Sequence, residues 1–348
     1  MFKPLTLLSR IIKYKYRSPY PIQSISPPHR RSVVLIILFI GQRGELRVLL
    51  TKRSRGLRSF SGHVSFPGGK ADDTDQSFID TGRREVEEEI GIPQDDELLN
   101  KEYLLSLEQL NVNLPCYLST TFLSVKPLVF FLYNSNLRDE NLLKYSTPID
   151  GSKFKAKLNP GETSSIFSIP LSDLTYFMFY DSYDHLTNKY KPEYTKRTKI
   201  TKAWGGLRWN VSHYYYPTLN AQDESWLNNV LDMSSDEEKL GNSDDNLTYK
   251  DVWGLTAKIL YDLSRIAHGY ISNNTDDKQN PSLNIKIGDE DLIYALHEFG
   301  KQMQSKSRTD WELAMLKGSK TTNYSDVLPK FCLEKLEAPS DYESGDQH

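Results

Sequence analysis

Cysteine is almost missing from this chain: among 348 residues there are two, Cys116 and Cys332. They are too few and too far apart for a disulfide framework or a paired-cysteine metal site, so ordinary thiols in a reducing compartment are expected. Long apolar runs are missing as well. The longest strongly apolar stretch, Val33 to Ile40, falls far short of the roughly 20 residues a membrane-crossing helix needs, so it reads as a strand and no membrane span is expected. A basic surplus is absent too. The net charge of −3 gives no general attraction to nucleic acid, and the basic residues are not gathered into aromatic-interleaved patches; nucleic acid is not expected as the main partner.

Acidic residues are missing from the first 44 positions, which carry Lys3, Arg10, Lys13, Lys15, Arg17, Arg30, Arg31 and Arg43. That bias fits a mitochondrial transit segment or a tethered basic arm. Leu7, Leu8, Ile11 and Ile12 allow a short amphipathic helix, but five prolines between Pro4 and Pro28 break the segment up. Residues 1–30 are therefore expected to be a basic N-terminal extension or targeting segment.

What is present is concentrated between Phe66 and Ile92. Asp75 or Ser77 can cap a helix that runs without proline to Gly91, which can close it, so a helix is predicted from about Ser77 to Ile90. Ile79, Gly82, Val86 and Ile90 share one stripe of it, while Glu85, Glu88 and Glu89 cluster on another. Carboxylates at i, i+3 and i+4 repel one another. A hard divalent cation reverses that sign, and an all-oxygen donor set suits Mg²⁺ or Mn²⁺ rather than Zn²⁺. Arg84, one turn before Glu88, is placed to orient it. A calcium-loop reading of Asp73 to Ser77 fails, because Phe78 stands where the turn needs glycine and Arg84 where the loop needs glutamate.

The run Arg84-Glu85-Val86-Glu87-Glu88-Glu89-Ile90-Gly91-Ile92 resembles the end of a Nudix box, and Gly68 and Gly69 resemble its opening glycines. The common box has Glu and Gly where this chain has Gln76 and Lys70, so the loop here looks one residue longer, with Asp73 or Asp75 as substitutes for the missing acid. Upstream, Leu49 to Gly69 reads LLTKRSRGLRSFSGHVSFPGG and is similar to the signature of the coenzyme A diphosphatase branch of Nudix hydrolases at every specified position. Leu158-Asn159-Pro160-Gly161-Glu162 and Trp253-Gly254-Leu255-Thr256 resemble further segments of that branch.

The resemblance implies an α/β fold, an α/β/α sandwich around a mixed sheet, over residues 31–270. Insertions are expected near 134–156 and 221–246, the latter acidic and loop-like, and residues 271–348 would be a C-terminal extension. It implies hydrolysis of the diphosphate of coenzyme A or a derivative, giving 3′,5′-ADP and 4′-phosphopantetheine. Glu85, Glu88 and Glu89 would hold Mg²⁺ or Mn²⁺, and Glu162 would add a carboxylate from outside the box. Arg53, Arg55 and Arg58, with Gly68 and Gly69, would bind substrate, since the arginine fork suits phosphate oxygens.

His63 reads as an ordinary loop histidine. The aromatic and basic residues of 175–219 read as strands, with base stacking as the other account. A helix is predicted over Val252 to Ile266 and another near Glu290 to Met303, and Pro127 is expected to place its strand at an edge or bulge. Other nucleoside diphosphate compounds, such as NADH, ADP-ribose or an oxidised nucleotide, are the alternative substrates. A non-catalytic nucleotide-binding module is the alternative of another class. Resemblance to fungal members of that branch suggests a peroxisome and the basic N-terminus a mitochondrion, with the cytoplasm as the remaining option.

Overall fold

The computed structural model describes residues 3–57, 59–137, 142–173, 196–217, 224–227, 249–271 and 287–337. In chain order the elements are α1 (Pro4–Lys13), α2 (Ile22–Ile25), β1 (Arg31–Ile40), β2 (Leu46–Arg53), β3 (Val64–Ser65), β4 (Gly68–Lys70), α3 (Phe78–Ile90) and α4 (Asp96–Glu102). There follow β5 (Leu105–Gln109), β6 (Tyr117–Leu118), β7 (Ser124–Asn134), β8 (Thr163–Pro170), β9 (Lys196–Trp204), β10 (Leu207–Pro217) and β11 (Tyr249–Trp253). Helices α5 (Gly254–His268), α6 (Glu290–Tyr294), α7 (Asp310–Leu316) and α8 (Lys330–Glu337) complete the series.

The apolar run at Val33 to Ile40 is the middle of the molecule. β1 pairs in parallel with β7 and antiparallel with β2 and β4, and a strand covered on both faces needs apolar residues at nearly every position. Val33, Leu35, Ile37 and Phe39 pack in one core with Val86 and Ile90 of α3. Ile36, Leu38 and Ile40 pack in the other with α1 and with Ile259, Leu263 and Ile266 of α5. Helices thus cover both faces of a mixed sheet, the architecture the resemblance implied.

Several boundaries differ from the sequence reading. Pro127 lies inside a strand flanked by others, because the neighbour of β7 changes from β6 at Val125 to β5 at Phe130. Between those pairings the strand has room for a residue without an N–H. Val252 and Trp253 belong to β11, not to the helix. They pair with Tyr214 and His213 of β10, and α5 begins at Gly254. The strands expected in 175–219 are β9 and β10; residues 174–195 lie outside the described ones.

The segments read as extensions or loops carry core residues. Leu7, Leu8 and Ile11 of α1 are buried against α5, and Lys15 bridges to Asn113. In the acidic insert, Trp226 is fully buried, edge-on to Phe39. Glu224 beside it is also fully buried, 3.5 Å from Arg47. That part of 221–246 is therefore docked rather than loose, its tryptophan supplying apolar area and its glutamate a partner for a buried cation. Ile149 and Phe154, in the insertion near 134–156, join the same core. Helices α6 to α8 share a third core with Ile25, Phe122 and the β9–β10 turn around Trp204. Arg30 and Glu312 form an ion pair at 3.0 Å, both nearly inaccessible to solvent. Among the described residues, no helix is long and apolar enough to cross a membrane.

Candidate active site

Helix α3 is fixed at its ends by its own sequence. The Ser77 hydroxyl accepts from the Asp80 N–H at 3.1 Å, and Gly91 leaves the helix in the left-handed conformation at φ 76°; these are the cap and stop expected. Gly82 lets the helix lie close on β1, for a Cβ there would stand 1.9 Å from Leu35 Cδ1. Ile79, expected on the same stripe, is exposed. Phe78 covers the core instead, its ring centroid 5.5 Å from the Arg31 guanidinium.

The glycine turn in front of the helix is required twice over. Gly68 has φ 148°, and a Cβ there would meet the Val33 carbonyl at 2.2 Å, while one on Gly69 would meet the Glu85 carboxyl carbon at 2.4 Å. The first absence lets the turn lie against β1; the second makes room for a carboxylate. The Gly68 N–H also donates to Glu89 at 3.3 Å.

The three helix glutamates differ in setting. Glu89 is 4% exposed, Glu85 15% and Glu88 44%. Burial, followed by the negative charge of Glu85, pushes the Glu89 carboxyl up to about 8, against the opposing pull of Arg53 and the Gly68 N–H. Burial raises Glu85 as well, with Glu88 and Glu162 adding and Arg84 opposing. Glu162 is thus near enough to act on both. Its own carbonyl accepts from the Ser54 N–H at 2.8 Å, which ties the Asn159–Glu162 loop to the signature loop.

Arg84 organises the rim. It donates to Glu85 at 2.9 Å, to Glu88 at 3.2 Å and through two nitrogens to Asp75, and its guanidinium holds Asp75 below the usual carboxylate range. Of the two acids considered for the long loop, Asp75 joins this network. Asp73 is exposed and faces Lys306 at 3.3 Å.

The fit to a metal ion is uneven in detail. Among the described residues no three carboxylate, imidazole or thiolate groups already stand at metal-ligand separation, and Arg84 takes up an oxygen of both Glu85 and Glu88. The Gly69 carbonyl accepts from the Ser32 hydroxyl at 2.8 Å, so it is engaged with β1. The donor set fits nonetheless. Glu85 and Glu89 offer oxygen atoms only, and both are desolvated beside each other with their anionic forms disfavoured, a deficit that a hard dication relieves.

Arg53 and Arg55 of the signature do not converge. Arg53 points to Glu89, 4.0 Å away, whereas Arg55 lines a separate cavity with His63; Arg58 lies outside the described residues. The other wall of that cavity, His213, Tyr249, Asp251 and Trp253, was not singled out as a site in the sequence. Its signal was the aromatic and basic alternation of 175–219 and the YKDVW run, which strand packing explains equally well.

Comparison with known proteins bears on the whole chain. Residues 28–179 match the NUDIX domain family. A relative in Saccharomyces cerevisiae, peroxisomal coenzyme A diphosphatase 1, is 47% identical over 337 residues, 97% of this chain and 96% of that protein. Nudix hydrolase 15 of Arabidopsis thaliana, described as mitochondrial, is 39% identical over 142 residues, 41% of this chain and 40% of that one. The crystal structure of the MutT protein of Methanosarcina mazei covers 41% of this chain and 78% of its own, at 22% identity and a TM-score of 0.26. With near-complete mutual coverage at 47% identity to the yeast hydrolase, and the box helix, glycine turn and sandwich described above, the chain belongs to the Nudix family.

Proposed function

We propose that this chain is a metal-dependent coenzyme A diphosphatase of the peroxisome, hydrolysing the diphosphate of coenzyme A or a derivative to 3′,5′-ADP and 4′-phosphopantetheine. One observation carries the reading. Glu85 and Glu89 are desolvated side by side against the Gly68–Gly69 turn with Arg53 facing them, in a chain closely related along its length to a protein named for that cleavage.

Nudix hydrolases use divalent metal ions, and Glu85, Glu88 and Glu89 are the residues that would hold Mg²⁺ or Mn²⁺ here. When bound, such ions supply positive charge to diphosphate oxygens and acidify an attacking water. The chain's own groups do the rest. Arg53 offers its guanidinium to the diphosphate, and Arg84 fixes the orientation of Glu85 and Glu88. Glu162, on the loop facing the pair, accepts the proton of the attacking water. The catalytic domain of this reading spans residues 31–270, with 271–348 as its C-terminal extension.

The test is mass-spectrometric identification of products from coenzyme A and Mg²⁺, with kcat/KM measured alongside on dephospho-coenzyme A and NADH. Coenzyme A is expected to give the two named products and the highest kcat/KM. Glu88→Gln and Glu89→Gln should each lower turnover by orders of magnitude in a folded protein. Wild-type turnover in both variants removes the box from the mechanism, and a preference for NADH removes the substrate.

A further inference from the structure

One apolar side chain of the signature loop has no part in the chemistry above. Phe60 stands in the left-handed backbone region at φ 55° and is 41% exposed. A bulky residue with positive φ is strained, whereas glycine adopts the same backbone without the clash of a Cβ. The loop uses glycine for that purpose two residues on, at Gly62 with φ 73°. Among the described residues Leu104 is the other exposed large apolar residue in this conformation, but it follows α4, where a left-handed residue ends the helix. Phe60 ends no helix, and its ring packs on one other, His63, tilted at 5.7 Å between centroids. Strain that brings so little packing in return is characteristic of a ligand-binding position.

The loop carrying this ring is fastened to the site. The Gly62 N–H donates to the Arg53 carbonyl at 3.1 Å and the Arg53 N–H to the His63 carbonyl at 2.9 Å, while the Arg53 guanidinium faces Glu89. The Ser61 hydroxyl donates to the Arg55 carbonyl at 2.9 Å, and the His63 N–H to the Phe60 carbonyl at 3.2 Å. Phe60 is thus held by hydrogen bonds of its own loop to the strand end that carries the diphosphate arginine. It is also the open end of a run of rings. His63 lies 4.6 Å from Trp253, and Trp253 is stacked on His213, 6° from parallel at 5.1 Å. The inner rings cover one another; the outermost, Phe60, keeps a face in solvent.

We propose that Phe60 is the platform on which the purine base of the substrate stacks. The inference deepens the proposed function and rests on it for the identity of that base, the adenine of coenzyme A, which a single ribose separates from the diphosphate. The order along the loop matches the order along the substrate, with Arg53 meeting the diphosphate and Phe60 the base beyond it. A flat ring held in place serves a rigid aromatic base, which brings its own face and loses little freedom on stacking. The flexible pantetheine arm would lose rotamer freedom against the same ring and gain less.

Calorimetry with 5′-AMP, ribose 5-phosphate and 4′-phosphopantetheine on the full-length protein in chelator tests it. The wild type should bind 5′-AMP at least tenfold more tightly than ribose 5-phosphate; Phe60→Gly and Phe60→Ala should remove that advantage, and Phe60→Trp should keep it. Melting temperatures separate a binding role from a packing one. With the backbone strain relieved, Phe60→Gly should melt no lower than the wild type and above Phe60→Ala. In turnover, the loss of kcat/KM for coenzyme A in the glycine variant should fall mainly on KM, because a stack remote from the reacting phosphorus is made equally before and in the transition state. A wild type without the preference for 5′-AMP, or glycine and alanine variants that retain it, overturns the platform while leaving the diphosphatase reading intact. A glycine variant that melts well below the wild type overturns it in favour of core packing. Loss of 4′-phosphopantetheine binding with 5′-AMP binding unchanged overturns it in favour of a site for the arm. A wild type that binds 5′-AMP through Phe60 but does not cleave coenzyme A defeats the diphosphatase reading and leaves the platform standing.

Discussion

Glu89→Gln should make the metal-free protein more stable while destroying its turnover, and the size of the gain follows from the carboxyl's setting. In the unfolded chain Glu89 loses its proton near 4.5, and in the folded protein near 8. Between those values the folded state binds the extra proton, so each rise in pH lowers stability. At about 1.4 kcal/mol per pH unit, the difference amounts to roughly 4 kcal/mol at pH 8, a substantial part of the ~5–15 kcal/mol that holds an ordinary domain together. Glutamine removes this dependence with little change of shape. Its amide oxygen can still accept from the Gly68 N–H, with its NH₂ on the side of Arg53. The assay is urea denaturation of both proteins in chelator at pH 5, 6, 7 and 8. Similar stability is expected at pH 5, with the variant pulling ahead by roughly 1.4 kcal/mol per unit above it. Adding Mg²⁺ should then stabilise the wild type more at pH 8 than at pH 6, because the carboxylate must lose its proton to serve as a ligand. Parallel pH profiles for the two proteins would refute the claim that the folded state disfavours the anion at this position.

The parts of the site that were legible in sequence are those fixed by local rules. Ser77 and Gly91 bound α3 as expected because capping depends on a few neighbouring residues. Glu85, Glu88 and Glu89 fall on neighbouring turns because helical period and the box pattern both act over short spans, whereas Glu162 was read only from the resemblance of Leu158 to Glu162, outside the box. Longer-range choices were not legible. Whether Arg55 would join Arg53 depended on how a loop turns past the end of β2, and Trp226 could not be read as core from an acidic, apolar-poor neighbourhood. Pro127 looked like an edge residue because a sequence does not show that one strand's neighbour changes partway along it. The basic bias of the N-terminus likewise says nothing of where α1 lies, which Leu7, Leu8 and Ile11 decide by packing into the core.

Three further outcomes follow from packing. Gly82→Ala places a methyl group against Leu35, where the side chain is fully buried; overpacking of this kind should cost about 1–3 kcal/mol in urea denaturation, partly recovered by adding Leu35→Val. Glu312→Ala leaves Arg30 buried without its carboxylate and should destabilise by about 3–5 kcal/mol, visible as a lower melting temperature, whereas a change at the exposed Lys330–Glu334 pair should be near neutral. The last concerns residues 1–14. A transit segment has to be dispensable to the mature fold, but here Leu7, Leu8, Ile11 and Tyr14 are buried in the main core, and Arg10 donates to the Ala267 carbonyl at the end of α5. Burial of each large apolar side chain contributes about 1.5–3 kcal/mol, so deleting the segment should remove roughly 5–10 kcal/mol, enough to unfold an ordinary domain. The truncated chain is therefore expected to be insoluble or to melt far below the full-length protein, and the protein recovered from cells should retain the helix by intact mass. A truncated chain that melts with the full-length protein would show that α1 adds nothing to the core, and would make a removable targeting segment the better account of the basic N-terminus.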